Sequence, residues 1–310
     1  MTVTVVADHR HGVADVAGLG IGSAAVEYRR LGESGLAVSV VGLGCNNLGR
    51  PGTAAETLSG ARAVVGAVRV RDVEQGDAGA ALDAGITLFD VADAYGAPRG
   101  RSEELLGQSL TGRRDDALIA TKFGLDMNGA NGPDFDARGS RRYVRRAVES
   151  SLRRLGTDWI DLYQLHRPDP LTPIAETLGV LDELVREGKI RYVGTCNLAG
   201  WQIADAAWTA RSEHLAAPVS AQNHFSLLER EAEREVLPAC ERFGVGMLPY
   251  FPLANGLLTG KYWRELEAPA GSRLAARQRL LADAPWDRVD KLRAVAGEHG
   301  ISMTALAISW

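Results

Sequence analysis

Cysteine is scarce in this 310-residue chain, which has only Cys45, Cys196 and Cys240. They are odd in number, far apart and include no C-x-x-C pair, which argues against a disulfide scaffold and a structural zinc knot. No apolar run approaches the roughly 18 residues that a membrane span needs. The opening MTVTVV meets Asp8, His9 and Arg10 too early to be the core of a secretory signal. A cytoplasmic protein with no membrane role is therefore expected. An excess of one charge is also missing: 35 Lys and Arg stand against 39 Asp and Glu, a net charge of −4. That balance argues against a general nucleic-acid binder. What is present is ordinary globular material, 45% hydrophobic and 24% charged, enough to build a sizeable core.

Residues 1–26 are rich in Gly, Ala and Val without a sustained period and read as a loose N-terminal extension. Within them GLGIGSA, Gly18 to Ala24, is a poor dinucleotide fingerprint. No strand leads directly into it, and Ser23 stands where the third glycine belongs. From Tyr28 the signals sharpen. YRRLGESGLAV reads as a hairpin and SVVGLGCNN as a strand ending at Cys45 and Asn46. Further strands are expected at Ile86–Asp90, Ala117–Lys122, Ile160–His166, Ile190–Thr195, Val219–Asn223 and Val245–Tyr250, with helices between them. After Ser140, Val144, Ala147, Val148, Ser151, Leu152 and Leu155 recur at helical spacing until Gly156. The next helix is expected to start with Thr172 as N-cap and Pro173 at its first position, and to end at Gly188. Repeated strand–helix units imply parallel strands, and at least seven of them point to a (β/α) barrel.

Barrel chemistry is carried at the C-terminal ends of the strands, and polar residues gather there six times. Asp90, Lys122 and His166 close three successive strands, Thr195-Cys196-Asn197 and Gln222-Asn223 the next two, and Tyr250 the last. Taken singly, each has a structural explanation: a cap, a snorkelling amine, a loop-anchoring imidazole. Together on one rim they suit proton transfer to a carbonyl. Tyr95, on the loop leaving the Asp90 strand, can turn back over the rim. A neighbouring Lys122 ammonium is expected to bring its phenol towards the working pH, with Asp90 holding Lys122 and His166 orienting the substrate oxygen. Asn197 and Gln222 have the amide geometry to hold a carboxamide such as that of nicotinamide, and Tyr250 could stack on its ring.

These stretches resemble the aldo-keto reductase family. The likeness is carried by YRRLGESGLAVSVVGLG, ALDAGITLFDVADAYG, SEELLGQSL, ATKFG, SLRRLGTDWIDLYQLHRPDP, VREGKIRYVGTCN, AQNHFSLLER and PYFPLANGLLTGKY, and it covers most of residues 27–310. The resemblance implies a (β/α)8 TIM barrel, NADPH or less often NADH as cofactor, and a small-molecule carbonyl substrate. It implies Tyr95 as general acid, Lys122 and Asp90 as its partners, and His166 as the orienting group. Cys196, Asn197, Gln222 and Tyr250 are then expected at the nicotinamide, with Cys196 where the family usually has Ser. Leu253, Gly256 and Lys261 are expected near the pyrophosphate, and Phe251 replaces a usual Ser. Residues 27–310 read as a single barrel domain.

Two departures accompany the likeness. ISMTALAISW resembles the helix before the eighth strand, so the eighth strand and helix are expected to be missing, leaving two exposed sheet edges. The segment near 60–78 is longer than one helix and reads as an irregular surface excursion or a disturbed first helix. Residues 124–139, rich in Gly, Asn and Asp, are expected to overhang the pocket and help select substrate. Two other functions compete. One is a barrel kept as a cofactor-sensing or protein-binding module. The other is a metal-dependent hydrolase using Asp90 and His166, which lacks further ligands at strand ends and is opposed by Lys122.

Overall fold

Short apolar strands alternate with amphipathic helices through most of the chain, and the structure, a computed structural model, follows that alternation. It describes residues 2–5, 26–66, 80–275 and 277–310. The GLGIGSA stretch and residues 67–79 of the expected excursion lie outside the described residues. In chain order the elements are β1 (Thr2–Val5), β2 (Tyr28–Arg30), β3 (Ala37–Ser39), β4 (Val41–Gly44), α1 (Leu58–Gly66), α2 (Ala80–Asp83), β5 (Leu88–Asp90), α3 (Arg101–Ser109), β6 (Leu118–Phe123) and α4 (Arg141–Leu155). Then come β7 (Ile160–Leu165), α5 (Ile174–Arg186), β8 (Ile190–Cys196), α6 (Gly200–Ser212), β9 (Pro218–Gln222), α7 (Val236–Phe243), β10 (Gly246–Met247), α8 (Gln278–Ala282), α9 (Trp286–Glu298) and α10 (Met303–Ser309).

Strands β4 to β10 pair in sequence order, every pair parallel. The sheet must curl, because Gln222 at the end of β9 reaches Asp90 at the end of β5 at 2.9 Å. In a flat sheet, four strand spacings would hold them about 19 Å apart. The result is a half-barrel of seven parallel strands, consistent with a (β/α)8 barrel short of one strand. The outer edge of β4 is not bare: β1 runs antiparallel along it, Thr2 opposite Gly44 and Val5 opposite Val41. Thus one of the two edges expected to be exposed is paired, by residues from the stretch read as a loose extension.

Each strand sorts its side chains with period two. In β5 Leu88 faces the interior with Leu31, Leu36 and Val38 of the β2–β3 hairpin, which closes the N-terminal end of the sheet. Phe89 faces outwards into the layer between sheet and helices. A third apolar cluster, Leu257, Leu258, Tyr262, Leu274, Val289 and Met303, ties α9 and α10 to the segment after β10. The helix after Ser140 runs as expected and ends at Gly156 in the left-handed conformation, φ 64°. Helix α5 starts one residue later than expected, at Ile174. Thr172 does not cap it, because its hydroxyl donates to Asp169 Oδ2 at 2.7 Å. The last expected strand shortens to Gly246–Met247, with Tyr250 returning as a single bridge to His224.

Helices α3 and α4 approach closely at Gly107, where a Cβ would stand 2.1 Å from the Leu155 carbonyl oxygen. Alanine normally strengthens a helix interior relative to glycine by up to about 1 kcal/mol. Here backbone would have to move, so Gly107→Ala is expected to lower the unfolding free energy by about 1–3 kcal/mol in urea denaturation.

Candidate active site

The alternation that turns Leu88 inwards also turns Asp90 inwards, and in β6 it puts Ala120 and Lys122 inside while Thr121 and Phe123 face the helices. Lys122 is wholly buried, and its Nζ donates to both Asp90 carboxylate oxygens, at 2.7 and 2.8 Å, and to the Val91 carbonyl at 3.0 Å. Asp90 Oδ1 also receives the Gln222 amide at 2.9 Å and, at 3.5 Å, that of Gln164. An ammonium this deep requires such partners, since removing one member of a buried pair costs about 3–5 kcal/mol. Burial pulls the Lys122 pKa down, but Asp90 and Tyr95 outweigh it, and the net direction is up. Lys122 is therefore a fixed cation at any working pH.

Tyr95 stands on the turn after β5, its carbonyl bound by the Gly100 and Ser102 amides at 3.1 and 3.2 Å. Gly96 follows with φ 91°, and a Cβ there would meet the Ser102 nitrogen at 2.8 Å, so the turn that presents Tyr95 needs glycine at that place. The Tyr95 ring centre lies 5.3 Å from Lys122 Nζ and 5.8 Å from the His166 ring, which it meets edge-on at 81°. The expected lowering of the Tyr95 pKa is not found. Burial raises it above 10.0, and the Lys122 ammonium offsets only part of that because Asp90 sits behind it. Tyr95 is thus a phenol, a proton donor, at neutral pH. His166 is driven well below its ordinary 6.5, first by burial and then by Lys122 and Arg167. It is a neutral imidazole, and its Nδ1 has no partner.

The expected nicotinamide residues form the adjoining wall. Asn197 donates to the His166 carbonyl at 2.9 Å and accepts the Tyr250 hydroxyl at 2.9 Å. Tyr250 stacks on His224, centres 5.1 Å apart and planes 7° apart, and the Phe251 ring stands edge-on to both. Gln222 is turned to Asp90, and the Cys196 thiol, pushed up to about 12 by burial, donates to Gln164 Oε1 at 3.7 Å. Leu253 and Gly256 lie on the turn after β10 and Lys261 just beyond it, its Nζ 5.3 Å from the Tyr262 ring centre. A planar, polar, partly stacked wall of Asn197, Tyr250 and His224 beside the Tyr95 and His166 rings fits a nicotinamide carboxamide and a carbonyl compound.

Three residues escaped the sequence reading. Gln164 lies level with Lys122 in the β6–β7 register, and its place two residues before His166 in YQLH was the available signal. His224, which backs Tyr250, had none. Arg273 is lowered in pKa by burial and then by Arg277 and Arg50. One guanidinium nitrogen lies 3.5 Å from Asn47 Oδ1. Such a cationic group suits a cofactor phosphate. Within residues 124–139, Asn131 turns away from the strand ends, donating to Asp93 at 3.0 Å and accepting from Arg154 at 3.3 Å.

The rim of the half-barrel thus joins a buried ammonium–carboxylate pair to a tyrosine and a neutral histidine. The model of the Aldo/keto reductase family matches residues 70–310, and the chain belongs to that family. It is 36% identical over 291 residues to an uncharacterized oxidoreductase, YrpG, of Bacillus subtilis (92% of this chain, 83% of that one). It is 34% identical to the versiconal hemiacetal acetate reductase of Aspergillus parasiticus (92% and 85%), and 35% identical to a probable voltage-gated potassium channel subunit beta of Oryza sativa (92% and 83%). Family membership makes the chain an oxidoreductase of the carbonyl-reducing kind. Among the described residues, no helix is long and apolar enough to cross a membrane, and no group of three or more His, Cys, Asp or Glu could hold a metal ion.

The depressed His166 pKa has a measurable consequence. The unfolded chain takes up a proton near pH 6.5 that the folded chain refuses, so folding loses stability as pH falls below that value. Relative to His166→Gln, the wild type is expected to lose about 1.4 kcal/mol per pH unit between ~6.5 and its folded pKa. Parallel thermal melts of the two proteins at pH 8 and pH 5.5 check this; equal losses would mean that His166 titrates normally.

Proposed function

We propose that the chain reduces an aldehyde or ketone to the alcohol, with NADPH as cofactor and NADH as the alternative. One observation carries the reading: Lys122, held by both Asp90 oxygens, lies 5.3 Å from the centre of a Tyr95 ring that His166 meets from another side. Nicotinamide, when bound, supplies a hydride to the carbonyl carbon. Tyr95 gives its proton to the carbonyl oxygen, and Lys122 stabilises the phenolate that remains until solvent reprotonates it. Neutral His166 orients the substrate oxygen by a hydrogen bond, where a protonated ring would compete with Tyr95 as the acid. Asn197 and Tyr250 shape the nicotinamide wall. Leu253, Gly256, Lys261 and Arg273 serve the phosphates.

Tyr95→Phe removes only the proton donor. Turnover of an aldehyde panel is expected to fall by about 10²–10⁴-fold, while tryptophan quenching by NADPH keeps its midpoint. Unchanged turnover would take Tyr95 out of the mechanism.

The similarity to the rice channel subunit favours a second reading, a cofactor-sensing or protein-binding module. Under that reading the folded chain binds NADPH saturably and reduces no carbonyl compound, and Tyr95→Phe has no activity to remove.

A further inference from the structure

Away from the strand ends, two neighbouring clefts lie on the outer wall of the barrel between α3, α4 and residues 130–132. The larger, about 480 Å³, is bordered by Asn131, Gly132 and α4, and the smaller, about 290 Å³, reaches Glu104 and Gln108 of α3. Ala130, Ser150 and Arg153 border both. On α4, Arg146, Ser150 and Arg153 follow at i, i+4 and i+7, so they form one stripe along the clefts. The flanking charges are already paired: Arg145 with Glu183 and Glu187, Arg154 with Glu103, Glu149 with Lys189, and Glu104 with Arg101. Among the described residues, Arg146 and Arg153 have no carboxylate partner, and Arg153 leans on the Ser150 hydroxyl at 2.9 Å. Arg146 Nη1 is enclosed and has no hydrogen-bond acceptor. Arg146 and Arg153 thus face the clefts with guanidinium groups that no carboxylate neutralises.

We infer that Arg146, Ser150 and Arg153 form an anion site on the outer wall that takes the phosphate group of a small molecule. Two guanidinium forks and a hydroxyl along one stripe match the several oxygens of a phosphate, which accepts paired N–H bonds as a single-point partner cannot. The joined clefts are larger than a free phosphate needs, and they leave room for the group that carries it. The site is distinct from the strand-end rim, yet it adjoins it through one residue. Asn131, which borders the larger cleft, donates to Asp93, and Asp93 is two residues before Tyr95.

Calorimetric titration of the whole chain with inorganic pyrophosphate tests the inference, because variants separate this site from the rim cations. The wild type is expected to bind saturably, and R146Q/R153Q to bind at least about tenfold more weakly. Arg273→Gln, by contrast, is expected to remove any separate pyrophosphate binding at the rim while leaving the α4-dependent binding within about twofold. Circular dichroism checks that each variant is folded. Should the double variant not fold, Arg153→Gln alone, at an exposed position, is expected to weaken binding in the same direction. The inference is overturned if the folded wild type shows no saturable binding. It is equally overturned if affinity is indifferent to the α4 substitutions, or is lost only with Arg273→Gln.

Discussion

The ion pair between Asp90 and Lys122 is the constraint around which the interior is arranged. Lys122 has no exposed surface, and both its charge and its donors are satisfied within the barrel by Asp90 and the Val91 carbonyl. Asp90 in turn gathers Gln222 from β9 and Gln164 from β7. Four strands thus meet at one carboxylate, which couples the curl of the sheet to the electrostatics of the site. A flat sheet would keep the Asp90–Lys122 pair, which joins neighbouring strands, but would carry Gln222 away from the carboxylate, so the curl adds a donor to a pair already made.

Burial is the first reason that Tyr95 is a phenol and His166 neutral, and the pair acts on top of it: Lys122 further disfavours a proton on His166, while at Tyr95 it opposes burial and Asp90 behind it cancels part of that opposition. Outside the strands, a second polar set stiffens the turn that bears Tyr95. Thr121 and Arg154 converge on the buried Glu103 of α3, at 2.6 and 2.7 Å, and Arg154 continues through Asn131 to Asp93. The two networks use opposite faces of β6, Lys122 inside and Thr121 outside.

Much of this was legible in the sequence, and the reason is periodicity. Strand ends at Asp90, Lys122 and His166 followed from alternation and from the barrel rule that places reactive groups at C-terminal ends, and the structure brings these three together with Tyr95. What escaped was set by neighbours distant in the chain. The direction of the Tyr95 pKa depends on how far it is buried, which no local pattern records. Thr172 looked like a helix cap, but Asp169, three residues earlier, takes its hydroxyl. Asn131 is turned away from the strand ends by Asp93 and Arg154. The β1 pairing at the edge of β4 is likewise a long-range event between residues some 40 apart, although TVTV has the β-branched alternation of a strand.

The central claim is that this rim directs a hydride to a carbonyl carbon while Tyr95 supplies the proton. Its most direct test is isotope transfer: the purified chain is incubated with NADPH deuterated at the transferable C4 position and a panel of aldehydes, and the alcohols are analysed by mass spectrometry. The account predicts deuterium on the carbinol carbon of at least one product. A folded chain, saturated with cofactor, that yields no labelled alcohol from any of them would contradict it.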